Sequence, residues 1–107
     1  MKPTKQQILD EPAGPRLDAW FCKYVLGNKF KSHLNPFYPS SNIAHAMEGV
    51  EKYRKRIFLE IRILPGIVYC GIYPNNPGEF PFIFSKAETL ELAITRALLL
   101  WAIEKDK

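Results

Sequence analysis

The feature that most constrains this chain is a closing segment that has the spacing of a helix but is apolar on almost every side. The segment runs from about Ala87 to Lys105. One apolar stripe consists of Leu90, Ile94, Ala97, Leu98 and Trp101. Four more apolar residues extend it around the helix: Leu92, Leu99, Leu100 and Ile103. Such a helix lies either at the centre of its own fold or half buried in a partner. The sequence leaves both arrangements open, and the second predicts a homo-oligomer.

The length of the chain supports one hydrophobic core. With 107 residues, 47% of them hydrophobic, we expect a single domain spanning residues 1–107. Pro12, Gly14 and Pro15 interrupt any structure that begins before them. Residues 1–15 are therefore expected to form an extended or short helical N-terminal segment.

Two further helices are predicted upstream. "LDAWFCKYVLG" places apolar residues at helical spacing and stops at Gly27. The second helix is expected from about Ser41 to Lys55, with Ile43, Ala46, Met47, Val50 and Tyr53 on its apolar face. His45 is predicted to lie on or near the solvated face.

Three strands are predicted between the helices. "RIFLEIRIL" and "IVYCGIY" flank the turn signal Pro65-Gly66 and indicate an antiparallel hairpin. "EFPFIFS" gives a third strand, which Pro81 places at an edge because proline has no amide hydrogen to donate. Since the strands are apolar on both faces, we expect cover on both. The fold class predicted is α+β, a three-layer α/β/α sandwich in the order ααβββα, with helices on both faces of a small three-stranded antiparallel sheet.

Net charge and cysteine content limit the partners and the cellular compartment that we expect for this protein. The net charge of +4 makes an anionic partner conceivable, but the lysines are dispersed, so nucleic acid is an improbable partner. Cys22 and Cys70 are expected to be buried free thiols in a reducing cytoplasm. No signal peptide or membrane-spanning run is found in the sequence, so we predict a cytoplasmic protein with no membrane partner.

Motifs for catalysis and metal binding are absent from the sequence. It contains no G-x-S-x-G, no glycine-rich phosphate loop and no paired-carboxylate motif. His45 and Glu48 are spaced i, i+3, but two ligands are too few for a structural metal site. The sequence therefore predicts neither an enzyme nor a cofactor.

The junction "NPFYPSSNIAHAMEGVEKY", residues 35–53, has two interpretations. Ser40 or Ser41 can cap the second helix by accepting from its free N–H groups. The same N–H groups, with the helix dipole, can instead bind an anion. The candidate ligand-binding residues here are Lys29, Lys31, Phe37, Tyr38, Ser40, Ser41 and Asn42.

Arg96 is the charged residue in the middle of the apolar closing helix. It can extend its stem over apolar surface and pair its head group, for instance with Asp18. Alternatively, it faces residues 37–42 and clamps a phosphate or carboxylate. We include Arg96 among the candidate ligand-binding residues.

Three segments together resemble the phage ABA sandwich domain, a family of small phage and prophage proteins. They are "ILDEPAGPRLDAWFCKYVLG", "YPSSNIAHAMEGVEKY" and "TLELAITRALLLWAIE". The matching positions are Leu17, Asp18, Gly27, Ser40, Ser41, Asn42, Ile43, Leu92, Ala93, Ile94, Arg96 and Ala97. The resemblance implies an α/β/α fold and a phage or prophage origin, hence the cytoplasm of an infected or lysogenic bacterium. It implies no agreed catalytic activity, and Asn42 stands where the family has an acidic residue.

Two classes of function fit these observations. The first is a binding protein that alters host physiology, in its sharpest form a counter-defence sponge that sequesters a nucleotide signal in an aromatic and basic pocket between chains. The second is an adaptor or inhibitor that grips a host protein through the apolar helix and the edge strand near Pro81. A concave basic pocket favours the first, and a flat apolar patch favours the second.

Overall fold

The computed structural model describes residues 2–27, 37–75 and 83–105. Its helices are α1 Lys5–Asp10, α2 Pro15–Trp20, α3 Ile43–Tyr53 and α4 Leu90–Lys105. Its strands are β1 Ile57–Leu64, β2 Ile67–Pro74 and β3 Ile83–Ala87. A π-helical segment, Phe21–Leu26, continues α2 directly and ends at Gly27, whose φ of 97° suits glycine.

The three strands form one antiparallel sheet in the order β1-β2-β3. Leu64 pairs with Ile67 across Pro65-Gly66, and Gly66 has a φ of 77°, as the third residue of a type II turn requires. The predicted hairpin is therefore confirmed. β3 lies at one edge of the described sheet, while Pro81 and the first part of the predicted third strand lie outside the described residues.

One face of the sheet, the inner face, packs against α4. Helix α4 contacts β2 and β3, and the Ser85 hydroxyl donates to the Ala93 carbonyl at 2.7 Å. The buried inner-face residues of these two strands are Val68, Cys70, Ile72, Ile83, Ser85 and Ala87. Burial of alternate residues on each strand follows from the two-residue period of a strand.

Helix α4 is the centre of the molecule. Besides the sheet, it contacts α1, α3 and the π-helical segment. Residues on every side of α4 are buried, among them Ala93, Ile94, Leu98, Leu99 and Trp101. The all-round apolar pattern is thus satisfied within the chain itself, which is the first of the two arrangements that the sequence left open.

The α+β class, with a three-stranded antiparallel sheet and helices packed on it, is confirmed. The expectation that helices cover both faces of the sheet is not confirmed. On the face turned away from α4, Phe58 is 54% exposed and Phe84 45% exposed. The aromatic rings of that face pack on one another, which shields part of their surface.

Two local expectations need correction. Helix α3 is shorter than predicted and begins at Ile43, because Asn42 is its N-cap. His45 is buried, at 7% exposure, rather than solvated. The N-terminal segment holds a six-residue helix whose Ile8 is fully buried, so the segment belongs to the core.

Candidate binding site

The N-terminus of α3 is capped by Asn42, not by either serine before it. The Asn42 side-chain oxygen accepts from the His45 backbone N–H at 3.2 Å, and Asn42 has the extended backbone of an N-cap. Ser41 is exposed, and its own N–H donates to the Tyr38 carbonyl at 3.1 Å. The expected serine cap is therefore wrong by one or two positions.

Ser40 fastens this junction to the start of α2. Its backbone N–H donates to a carboxylate oxygen of Asp18 at 2.8 Å, and its hydroxyl accepts from the Gly14 N–H at 3.0 Å. Ser40 is 1% exposed and Asp18 8% exposed. The bond to an ionised carboxylate satisfies the buried charge of Asp18, which is not paired with Arg96 as suggested above.

His45 holds the residues that precede the junction. Its Nδ1 accepts from the Tyr38 backbone N–H at 2.9 Å, so Nε2 carries the proton of the neutral ring. The ring stacks on Phe37 with centroids 5.0 Å apart and contacts Tyr38 at 4.6 Å. A residue expected to face solvent thus orders two of the candidate ligand-binding aromatics.

Phe37 and Tyr38 line a shallow cleft of about 400 Å³. Its other lining residues are Pro15, Asp18, Ala19 and Cys22, so the cleft offers apolar surface and one carboxylate. Burial, and secondly the charge of Asp18, raise the pKa of the half-buried Cys22 thiol. This electrostatic environment disfavours an anion, and Lys29 and Lys31, the predicted cations, lie outside the described residues.

Arg96 is placed at a different part of the molecule. Its guanidinium donates to the Glu11 carbonyl at 2.8 Å and to the Lys86 carbonyl at 3.2 Å. It lines a cleft of about 460 Å³ that also contains Asp10 and Glu88. Burial lowers the pKa of Arg96, and these two carboxylates oppose that effect. The structure therefore does not bring Arg96 together with Phe37 and Tyr38, and the clamp on the loop is not observed.

The cysteines are free thiols in different environments. Cys70 is fully buried, and burial raises the pKa of its thiol to about 12. Cys22 is only half-buried, which corrects the expectation that both are core residues. Among the described residues, no group of three or more His, Cys, Asp or Glu side chains is placed to hold a metal ion. No helix in the described part of the chain is long and apolar enough to cross a membrane.

A second accessible apolar surface lies on the sheet face turned away from α4, here called the outer face. Its residues, read from the strand register, are Phe58, Glu60, Arg62, Leu64, Ile67, Tyr69, Tyr73, Phe84 and Lys86. Phe58 stacks on Tyr73 with centroids 5.2 Å apart, and Tyr69 packs on Phe84 at 5.3 Å. The two aromatic pairs place four large rings side by side on this face.

A shallow groove of about 280 Å³ crosses the outer face. It is lined by Arg62 and Leu64 of β1, Tyr69 of β2 and Phe84 of β3. The hydroxyl of Tyr73 donates to Glu60 at 3.2 Å, and Arg62 lies 3.7 Å from the same carboxylate. Desolvation, then the charge and hydrogen bond of Glu60, raise the pKa of Tyr73, and Arg62 opposes them. The groove therefore combines apolar walls with a guanidinium at one end.

Sequence reasoning missed this groove, since the candidate ligand-binding aromatics that it named were Phe37 and Tyr38. The available signal was the apolar character of both strand faces, which we interpreted as a need for helices on each side. The alternation of a strand identifies its two faces but not which of them another element covers.

Comparison with known proteins adds no relative. No family model matches the chain, and no match was found among curated proteins or solved structures. The fold and surface define an α+β protein with an exposed aromatic sheet face. The resemblance to the phage ABA sandwich domain stays a prediction.

Proposed function

We propose that this protein acts by binding another protein through the outer face, as an adaptor or inhibitor of a bacterial host protein. The observation that carries the proposal is the exposed groove between Leu64, Tyr69 and Phe84, with Arg62 at its end. Aromatic and arginine side chains are the types that contribute most to protein–protein binding energy. The phage or prophage origin implied by the family resemblance is part of the same proposal.

The chemistry of the groove defines the kind of partner. Its walls suit an inserted apolar side chain, and Arg62 suits a neighbouring carboxylate because a guanidinium forms paired hydrogen bonds with it. Lys86, exposed on the same face, adds a second cation. We therefore expect a partner surface with an apolar anchor and an acidic rim.

A single-stranded nucleic acid fits this face less well. Bases stack on rings whose faces are open, whereas the rings of Phe58 and Tyr73 stack on each other at an interplanar angle of 13°. Arg62 and Lys86 are few cations for a phosphate backbone, and the carboxylate of Glu60 lies 3.7 Å from Arg62. These features favour a protein partner.

The nucleotide sponge remains the alternative proposal. The cleft beside Phe37 and Tyr38 is the described cavity that could contact a base, and it would need cations from outside the described residues. A thermal-shift series with ATP, cyclic AMP and cyclic di-AMP tests it, because a ligand at 100 times its Kd stabilises by about 2.7 kcal/mol. We expect no shift. A shift that Tyr38→Ala removes would favour the sponge over the adaptor.

The test of the adaptor proposal is differential capture from nuclease-treated bacterial lysate. Wild-type protein, Phe84→Ser and Met47→Ser are immobilised, and the retained proteins are quantified by mass spectrometry. Phe84 and Met47 are matched in exposure, at 45% and 44%, but Met47 lies on α3. We expect a retained protein that Phe84→Ser loses and Met47→Ser keeps.

Two results would contradict the proposal. One is an identical set of proteins retained by all three baits, which would show that the outer face selects nothing. A parallel capture from untreated lysate gives the other: retention that occurs there and is lost in the nuclease-treated lysate would indicate a nucleic acid as the bound species. Circular dichroism of each bait checks that the variants are folded.

A further inference from the structure

We infer that β1 pairs with the β1 strand of a second copy of this chain, in antiparallel register with Ile61 opposite its own copy. The result is a six-stranded sheet with a two-fold axis perpendicular to it. The inference rests on the backbone ladder, the exposure and the charges of β1 and not on the partner proposed for the outer face, although Arg62 and Leu64 belong to both surfaces.

The hydrogen-bonding direction of each residue in β1 follows from the ladder with β2. The Asn75 N–H donates to the Arg56 carbonyl at 2.9 Å, in continuous register with the β1–β2 pairs. In an antiparallel pair, alternate residues direct both backbone groups to the same neighbour. Even-numbered residues of β1 therefore face β2. Ile57, Leu59, Ile61 and Ile63 direct their N–H and C=O groups to the edge that no strand occupies among the described residues.

The side chains along this edge become more exposed toward the turn. Ile57 is 3% exposed, Ile61 41% and Ile63 68%, although all three lie on the inner face. Helix α4 packs on β2 and β3, so the far end of β1 extends beyond its cover. An eight-residue apolar edge strand of this kind is a ready surface for pairing with another strand.

The opposite edge of the sheet, formed by β3, is partly hydrogen-bonded within the chain. Since even-numbered residues of β2 face β3, Val68 forms a ladder pair with Ala87, and Lys86 directs its backbone outward. The outward carbonyl of Lys86 accepts from Arg96 at 3.2 Å. Arg96 thus occupies one outward carbonyl of the five-residue β3, whereas β1 is an eight-residue edge strand.

The charges of β1 select one register. With Ile61 opposite its own copy, Glu60 lies opposite Arg62 of the second copy, and this pair occurs twice. Only shifts by two residues preserve the ladder, and the nearest ones place Glu60 opposite Glu60 or Arg62 opposite Arg62. Opposite charges facing each other stabilise a strand pair, and like charges destabilise it.

The apolar residues agree with the same register. On the inner face, Ile61 meets Ile61 of the second copy, and Leu59 meets Ile63 of the second copy. On the outer face, Phe58 meets Leu64 of the second copy. The Glu60–Arg62 and Phe58–Leu64 pairs are the non-hydrogen-bonded kind, in which Cα atoms approach to about 4.5 Å. Exposed apolar side chains of one chain are thus covered by those of the other.

The test is sedimentation velocity of charge variants over a range of protein concentrations. We expect wild-type protein to dimerise. Glu60→Arg and Arg62→Glu should each raise the dimer Kd by about tenfold or more, because two attractive cross-strand pairs become repulsive. An equimolar mixture of the two variants should form a heterodimer, and the double variant Glu60→Arg/Arg62→Glu should regain the wild-type Kd.

A crosslinking experiment fixes the register separately. In a Cys70→Ala background, which removes the thiol opposite position 61 in the β1–β2 ladder, Ile61→Cys should form a disulfide-linked dimer on mild oxidation, since the hydrogen-bonded pair holds its Cα atoms about 5.5 Å apart. Ile63→Cys in that background should not, because its expected neighbour is Leu59, and Cys70→Ala alone reports any contribution from Cys22. A monomeric wild-type protein would overturn the inference. So would charge variants that dimerise unchanged, a mixture that fails to associate, or preferential crosslinking at position 63.

Discussion

Two side chains, the amide of Asn42 and the imidazole of His45, hold the start of α3 and the residues that precede it in place. Asn42 supplies the cap, and His45 accepts from the Tyr38 N–H while stacking on Phe37. The sequence correctly indicated a helix start near Ser41 but assigned the cap to a serine and placed His45 in solvent. Both errors arise because a helical pattern does not show which side chains the preceding segment folds over.

The cap assignment predicts a stability difference between neighbouring positions. Asn42→Ala should lower the free energy of unfolding by about 1 kcal/mol, because it leaves an N–H group of the first turn without its acceptor. Ser41→Ala is the control and should change it by less than about 0.5 kcal/mol, since Ser41 is exposed. Urea denaturation of both variants measures the difference. Equal losses, or a larger loss for Ser41→Ala, would show that the serine is the cap.

Cys70 predicts a dependence of stability on alkaline pH. The folded protein holds the neutral thiol, with its pKa raised from 9.0 to about 12 by burial. A raised pKa contributes stability that is complete below pH 9 and is lost as the pH rises toward 12, by about 4 kcal/mol in all. Chemical denaturation at several pH values from 8 to 11 should show a steeper decline for wild type than for Cys70→Ala. Parallel declines would refute the assignment.

At the level of elements, α3 packs closely at Gly49 against the π-helical segment and α4. A Cβ atom added at Gly49 would lie 2.6 Å from the Phe21 ring, 2.8 Å from Leu98 and 3.0 Å from Val25. These side chains belong to the π-helical segment and to α4, so Gly49 is where three helical segments meet. Glycine is required here because it has no side chain, and not because of its backbone angles.

Gly49→Ala should therefore destabilise the protein by about 1–3 kcal/mol, despite a gain in helix propensity of about 1 kcal/mol. The steric conflict involves three buried side chains at once, and not all can move away. Glu51→Ala on the exposed side of α3 is the control and should have an effect within about 0.5 kcal/mol, because its ion pair with Arg54 is solvent-exposed. Thermal denaturation distinguishes them. Stabilisation by Gly49→Ala would contradict the described packing.

The helices and strands were largely predictable from the sequence, whereas the contacts between distant segments were not. Hydrophobic period, Gly27 and Pro65-Gly66 located the helices and the hairpin, because these signals act within a few residues of each other. The extent of α3 and the position of Arg96 depend on contacts between distant segments, such as the bond from Arg96 to the Glu11 carbonyl. No local pattern contains that information.

In the whole molecule, the sequence identified α4 as a helix apolar on all sides but not what surrounds it. Periodicity measures how much of a helix must be covered, not whether the cover comes from the same chain. Here the sheet lies on one side of α4, and α1, α3 and the π-helical segment pack against it as well. The surfaces that we propose for association are therefore the outer face and the β1 edge, rather than the closing helix.

Residue-resolved hydrogen exchange by NMR, at low and high protein concentration, tests most directly the claim that α4 is internal and β1 is the associating edge. The amides of Leu59, Ile61 and Ile63 should exchange rapidly in dilute protein and become protected as dimer forms. Those of Phe58, Glu60 and Arg62, bonded to β2, should be protected throughout, as should α4. Loss of protection in α4 on dilution, with no change in β1, would contradict the account and place the interface on the closing helix.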